Sequence, residues 1–138
     1  MSRFIGLDVG DVRIGIAVSD LLMITAQGIE TYTRKDVESD INHIKSLMEQ
    51  YDAKTIICGL PKNMNGSLGE QALKVKEFAE VLKESTQAPL IYWDERLTTK
   101  SAQRTLLEAD LSRKKRKKVV DKIAAVYILQ AYMDSTRY

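Results

Sequence analysis

The sequence predicts an α/β fold in one domain, residues 1–138: a five-stranded mixed sheet, made of an antiparallel meander plus two parallel strands and flanked by helices. Three observations predict it. Phe4–Asp8 and Arg13–Ser19 are β-branched and apolar runs on either side of Gly10-Asp11, a hairpin signal. Lys54–Leu60 and Leu90–Trp93 are short runs rich in apolar residues, the pattern of strands buried on both faces in a parallel sheet. Segments with apolar residues at helical spacing separate and follow those strands. At 138 residues the chain can bury roughly two-thirds of its unfolded surface, enough for one core.

Taken in order, the hairpin is followed by Met23–Thr33, a third strand that completes the meander. Asp36 can cap a helix whose Val37, Ile41, Ile44, Leu47, Met48 and Tyr51 share one face and which ends near Asp52. The first doubly buried strand stops at Pro61, and Pro61–Gly69 is a loop rich in turn residues. A second helix places Leu68, Ala72, Val75, Ala79 and Leu82 on one face. Pro89 opens the fifth strand, which runs into Asp94-Glu95-Arg96. Thr98 or Thr99 can cap a third helix carrying Ala102, Leu106 and Leu107, and a last helix runs from about Val119 to Met133.

Hydrophobic content of 44% and charged content of 29% are ordinary for a soluble globular protein. Arg3 and Asp8 interrupt any early apolar core, so no signal peptide is expected, and no apolar run approaches the ~20 residues of a membrane span. A single cysteine, Cys58, excludes an internal disulfide and a cysteine-rich zinc site. These features place the protein in the cytoplasm. The net charge of +2 hides an asymmetry: residues 96–118 hold nine Lys/Arg against Glu108 and Asp110, a local +7, which leaves the rest near −5. A basic segment on an acidic body is the footprint of a surface that binds a polyanion.

Carboxylates stand where packing disfavours them. Asp8 ends the first strand, Asp94 and Glu95 end the fifth, and Asp121 precedes Ala124, Ala125, Ile128, Leu129 and Tyr132 on the apolar face of the last helix. A buried carboxylate needs a cation, hydrogen-bond donors or a metal ion. Strand ends and a facing helix can converge in such a sheet. Converging carboxylates suit Mg²⁺ or Mn²⁺, the ions of phosphodiester hydrolysis. Plainer readings stand beside this one: Asp8 bracing its own turn, Asp121 in an ion pair with Arg13 or Lys117, Asp94-Glu95-Arg96 as a surface turn, and the basic run as a solvated segment.

Four motifs in order resemble a known family: Gly6-Leu7-Asp8-Val9-Gly10 with Arg13-Ile14-Gly15; Gly59-Leu60-Pro61 with Asn65-Gly66; Trp93-Asp94-Glu95-Arg96-Leu97-Thr98-Thr99; and Lys118-x-x-Asp121-x-x-Ala124-Ala125. Together they resemble the YqgF (RuvX) family, a bacterial branch of the ribonuclease H-like superfamily also described as Holliday junction resolvase-like. The resemblance spans nearly the whole chain. It implies a ribonuclease H-like fold, a cytoplasmic monomer or homodimer, and a nuclease role in maturing the 5′ end of the 16S ribosomal RNA precursor, with the small-subunit precursor as a partner. By motif, Asp8 carries over as the strand-one metal ligand and Asp121 as the acid of the last helix. Many ribonuclease H-like nucleases end their fourth strand with an acid, but here that position reads Gly59-Leu60-Pro61. Glu95 is the natural substitute and Asp94 the alternative, since successive strand residues face opposite ways.

The expected site therefore comprises Asp8, Glu95 and Asp121 around one or two Mg²⁺ or Mn²⁺ ions, with water attacking phosphorus in line. Arg13, Lys62, Asn65 and Arg96 are expected to contact phosphate. Arg113, Lys114, Lys115, Arg116, Lys117 and Lys118 are expected to supply salt-dependent affinity for nucleic acid. Three other functions compete. Resolution of branched DNA needs two symmetric cuts and hence a two-fold dimer. An ATP-binding domain of the actin and sugar-kinase type needs two such domains, and this chain has length for one. A non-catalytic RNA-binding ribosome-assembly or transcription factor would follow from the missing strand-four acid.

Overall fold

The Gly10–Val12 turn folds β1 (Arg3–Val9) back onto β2 (Arg13–Ser19), which pairs in turn with β3 (Ala26–Thr33). The structure is a computed structural model that describes residues 2–63, 65–95 and 113–136, of which residues 113–121 by backbone alone. Helix α1 (Val37–Tyr51) returns the chain to β4 (Ala53–Leu60), parallel to β1; α2 (Glu70–Thr86) returns it to β5 (Leu90–Asp94), parallel to β4. The last element is α3 (Arg113–Thr136). The sheet order is β3-β2-β1-β4-β5, so β1 lies at its centre. This is the meander with two parallel additions that the hydrophobic patterning predicts.

Strand alternation divides the core into two layers. Ile5, Leu7 and Val9 of β1, with Ile56, Cys58 and Leu60 of β4, pack under α1 and α2. The opposite face, with Ala17 and Ile57, packs under Ala125, Ile128, Leu129 and Met133 of α3. That second layer is thin because glycines line it. A Cβ on Gly6 would stand 2.8 Å from Leu129 Cβ and 3.2 Å from the Ala125 carbonyl, and one on Gly28 would meet the Lys122 stem at 2.6 Å. The helix therefore lies directly against the backbone of β1 and β3.

Three boundaries differ from those predicted. β3 starts at Ala26 and not Met23, because Asp20 Oδ1 accepts from the Ile24 and Thr25 amides at 2.7 and 3.1 Å and holds residues 20–25 as a loop. Gln130 of α3 fastens that loop, donating to the Ile24 carbonyl and accepting from the Ala26 amide. Leu68 lies outside α2, which begins after Gly69, and its side chain is exposed. α3 begins at Arg113 and not near Val119, so the basic run forms its first turns; Lys and Arg are good helix formers. The helix expected to carry Ala102, Leu106 and Leu107 lies outside the described residues. Asp36 caps α1 as expected, accepting from the Ser39 amide at 2.8 Å.

The close approach of α3 is directly testable. Replacing Gly6 with Ala overpacks the β1–α3 contact and should cost about 1–3 kcal/mol. Thermal denaturation should show the midpoint falling by about 3–10 °C. An unchanged midpoint would mean that α3 does not rest on β1.

Candidate active site

Two carboxyl groups meet on the α3 side of the sheet, near the carboxyl ends of the parallel strands. Asp8 shares its face of β1 with Phe4, which packs with the α3 layer, and with Gly6. Across the sheet its antiparallel partner is Gly15. On the parallel side the register Leu7↔Cys58 puts Gly59 next to it. Beyond Gly59, Ile91 and Trp93 of β5 belong to the α3 layer, whereas Leu90 and Tyr92 pack on the other side. The same alternation returns Glu95 to the α3 side and sends Asp94, which pairs with Leu60, to the opposite face.

Glu95 then crosses β4. Its Cγ and Oε1 lie 2.8 and 2.9 Å from the point where a Cβ on Gly59 would stand, with Ile128 Cδ1 on the other flank at 2.5 Å. The bare strand at Gly59 is the channel through which the β5 acid reaches the β1 acid. The Glu95 and Asp8 side chains hydrogen-bond, and Glu95 is 9% exposed. Burial, then the hydrogen bond to Asp8 and the charges of Asp8 and Asp94, holds the Glu95 carboxyl far above the ordinary carboxylate range. The two carboxyls thus resist ionising together and hold a proton between them. Cys58, fully buried beneath, has its thiol pushed up by burial and by the charges of Glu95 and Asp8, so it is inert packing and no nucleophile.

The other predicted residues fall into three groups. α3 runs antiparallel to β1: Tyr132 packs on Phe4, and Ala125 and Leu129 pack on Gly6. The preceding turn, which contains the backbone of Asp121, thus lies toward the Asp8 end; the Asp121 side chain is outside the described residues, as are Arg96 and the side chains of Arg113 to Lys118. Arg13 lies on the same face of β2 as Gly15, diagonal to Asp8. Lys62 and Asn65 lie in the loop that leaves β4. Asn65 Oδ1 accepts from the Ser67 amide at 3.0 Å and from its hydroxyl, so that oxygen holds the loop. Among the described residues no group of three His, Cys, Asp or Glu side chains is placed to share a metal ion. Two oxygen donors that bind a proton so strongly nonetheless suit a hard divalent cation, which would replace that proton.

Arg34 and Asp40 also belong to this end of the sheet, and no motif singles them out. Arg34 Nη1 donates to the Gly10 carbonyl at 2.9 Å, and its Nε donates to Asp40 Oδ2 at 2.9 Å. Asp40 is 1% exposed. The available signal was its spacing: Asp40 falls three residues after Val37 and four before Ile44, on the buried stripe of α1.

The comparisons with known proteins agree with this architecture. The family model described as RuvX, Holliday junction resolvase, matches residues 2–135. A Clostridium acetobutylicum protein named "Putative pre-16S rRNA nuclease" is 59% identical over 133 residues, covering 96% of this chain and 98% of its own. A Clostridium novyi protein of the same name is also 59% identical, with the same coverage. Among solved structures, Thermus thermophilus RuvC in complex with a Holliday junction superposes with a TM-score of 0.63 at 12% identity, covering 99% of this chain and 97% of that one. The fowlpox virus resolvase bound to its junction gives 0.59 at 11%, covering 99% of both chains. At such identities the structural likeness shows a shared fold, and the match along the sequence shows kinship. The chain belongs to the RuvX (YqgF) family.

Proposed function

We propose that this protein is a divalent-metal-dependent endonuclease that cuts the 16S ribosomal RNA precursor at its 5′ end, in the cytoplasm. The observation that carries the reading is the pair of buried Glu95 and half-buried Asp8, two carboxyls drawn together across Gly59. Packing gains nothing from such a pair, and it costs desolvation. A site for a hard cation explains it. The RNA substrate is supported by the relatives that are 59% identical and carry that name.

Asp8 and Glu95 would hold Mg²⁺ or Mn²⁺ through oxygen, with Asp121 of α3 as the third acid. The bound ion supplies Lewis-acid polarisation of the phosphate and activation of water. To hold the cation Glu95 would have to release its proton, so loading would be favoured by rising pH. Arg13, Lys62, Asn65 and Arg96 are the proposed phosphate contacts near the acids. The basic first turns of α3, Arg113 to Lys118, hold the polyanion by charge and with little sequence preference. Asp94, on the other face, raises the proton affinity of Glu95 through its charge and is not assigned as a ligand.

Replacing Asp8 with Asn should reduce Mg²⁺-dependent cleavage of precursor RNA by at least ~100-fold, since even partners outside the ligand sphere cost roughly 10–100-fold when lost. Its thermal midpoint should equal or exceed that of the parent, because the half-buried charge beside Glu95 is gone. Normal cleavage by Asp8→Asn would refute the site. A four-way DNA junction run beside the RNA separates the substrates: cutting confined to the junction would move the function to branched DNA.

The metal-free protein carries a second signature. Glu95 binds its proton more tightly folded than unfolded, so its stabilising contribution is complete below the unfolded carboxylate pKa, near 4.5. That contribution is lost as pH rises toward the much higher folded value. Thermal midpoints measured in EDTA should therefore fall between about pH 5 and 9, and Glu95→Gln should flatten that slope. An equal slope in the variant would show that Glu95 is not the proton's seat.

A further inference from the structure

The geometry points to Arg34, anchored on Asp40, as the positioning residue that holds the β1–β2 turn and, through it, the Asp8 carboxyl in place. This rests on the reading of Asp8 as a ligand. Asp8 lies one residue before the end of β1, and the last pair of the hairpin is Val9↔Ile14. Past that pair the ladder no longer fixes the chain. Three hydrogen bonds take over. The Gly10 amide donates to the Arg13 carbonyl at 2.8 Å, the Arg34 amide donates to the Val12 carbonyl at 2.8 Å, and Arg34 Nη1 donates to the Gly10 carbonyl at 2.9 Å. Two of the three come from Arg34.

The guanidinium is held from three sides. Its Nε donates to Asp40 Oδ2, its plane stands over the Phe78 ring of α2 at 4.7 Å, and Nη1 reaches the turn. Asp40 is fixed in turn by the Lys35 amide, which donates to Oδ1 at 2.9 Å, and by the Tyr32 hydroxyl. Burial alone would raise the Asp40 carboxyl; those donors and the Arg34 charge outweigh it and hold the group below its ordinary value. The end of β3, the first turns of α1 and the middle of α2 are thus tied to the turn beside the acid pair. The rigid guanidinium serves the carboxylate through Nε and the carbonyl through Nη1, whereas a lysine carries all its donors on one nitrogen and cannot occupy both donor positions.

Arg34→Lys is the informative variant: it keeps a cation beside buried Asp40, whose unpaired charge would otherwise threaten folding, and it loses the bond to Gly10. Three measurements are made on the full chain. Amide exchange of Gly10 and residue 34 should accelerate while Ile44 of α1 and Leu82 of α2 keep their protection. Mn²⁺ binding without nucleic acid, followed calorimetrically, should weaken roughly tenfold. The rate constant kcat on precursor RNA should fall roughly tenfold or more while KM stays within about twofold. Mn²⁺ affinity equal to the parent's would overturn the positioning role whatever the cleavage result. So would accelerated exchange spread evenly over α1 and α2, which marks a purely structural role. A parent protein that binds Mn²⁺ but cuts neither RNA nor junction would overturn the nuclease reading alone, and the Mn²⁺ and exchange results would still decide the role of Arg34.

Discussion

The contact between Glu95 and Asp8 across Gly59 is the constraint on which this end of the molecule depends. Each carboxyl is held by a different strand, and β4 lies between those strands. Any side chain at residue 59 would fill the path of Glu95 or collide with Ile128. The strand that parallels the central one therefore contributes an absence. Glu95 is buried beside Ile128 of α3, and a desolvated carboxyl next to a second one holds a proton in preference to ionising with it. The proposed cation site uses the same arrangement.

That burial depends on how near α3 can come. The helix reaches backbone distance over Gly6 and Gly28, and Gln130 pins it to the loop between β2 and β3. On the opposite layer, Ile5, Leu7 and Val9 lock β1 beneath α1 and α2, so the strand that bears Asp8 is held on both faces. Arg34 and Asp40 extend this restraint into the turn, where the ladder ends. The site is thus built on rigid elements, and its polar groups are placed by contacts made elsewhere in the chain.

Much of this was legible in the residues. The Gly-Asp hairpin, the doubly buried Ile56-Ile57-Cys58 run and the helical spacing after Asp36 each report a local physical preference that the fold respects. Alternation past Leu90–Asp94 allowed only one of Asp94 and Glu95 to face the Asp8 side, the family resemblance preferred Glu95, and in the structure Glu95 lies over Gly59. What escaped depended on long-range bonds. The loop at residues 20–25 is held by Asp20 and by Gln130, 106 residues beyond Ile24, so Met23, Ile24 and Thr25 read as strand. The early start of α3 was hidden by a basic run whose charge suggests repulsion although its residues propagate a helix well. Asp40 stood on a buried stripe, yet its partner Arg34 lay in a different element and gave no spacing to read. The role of Gly59 was visible only as a missing acid, until Glu95 was found lying over it.

The most direct test is Mn²⁺ binding by the parent, Glu95→Gln and Asp94→Asn proteins, titrated calorimetrically in the absence of nucleic acid. The expected result is a loss of at least roughly tenfold in affinity for Glu95→Gln, with Asp94→Asn within about threefold of the parent. Parent-like affinity in Glu95→Gln, or a loss confined to Asp94→Asn, would contradict the assignment of the β5 acid that reaches Asp8 across Gly59.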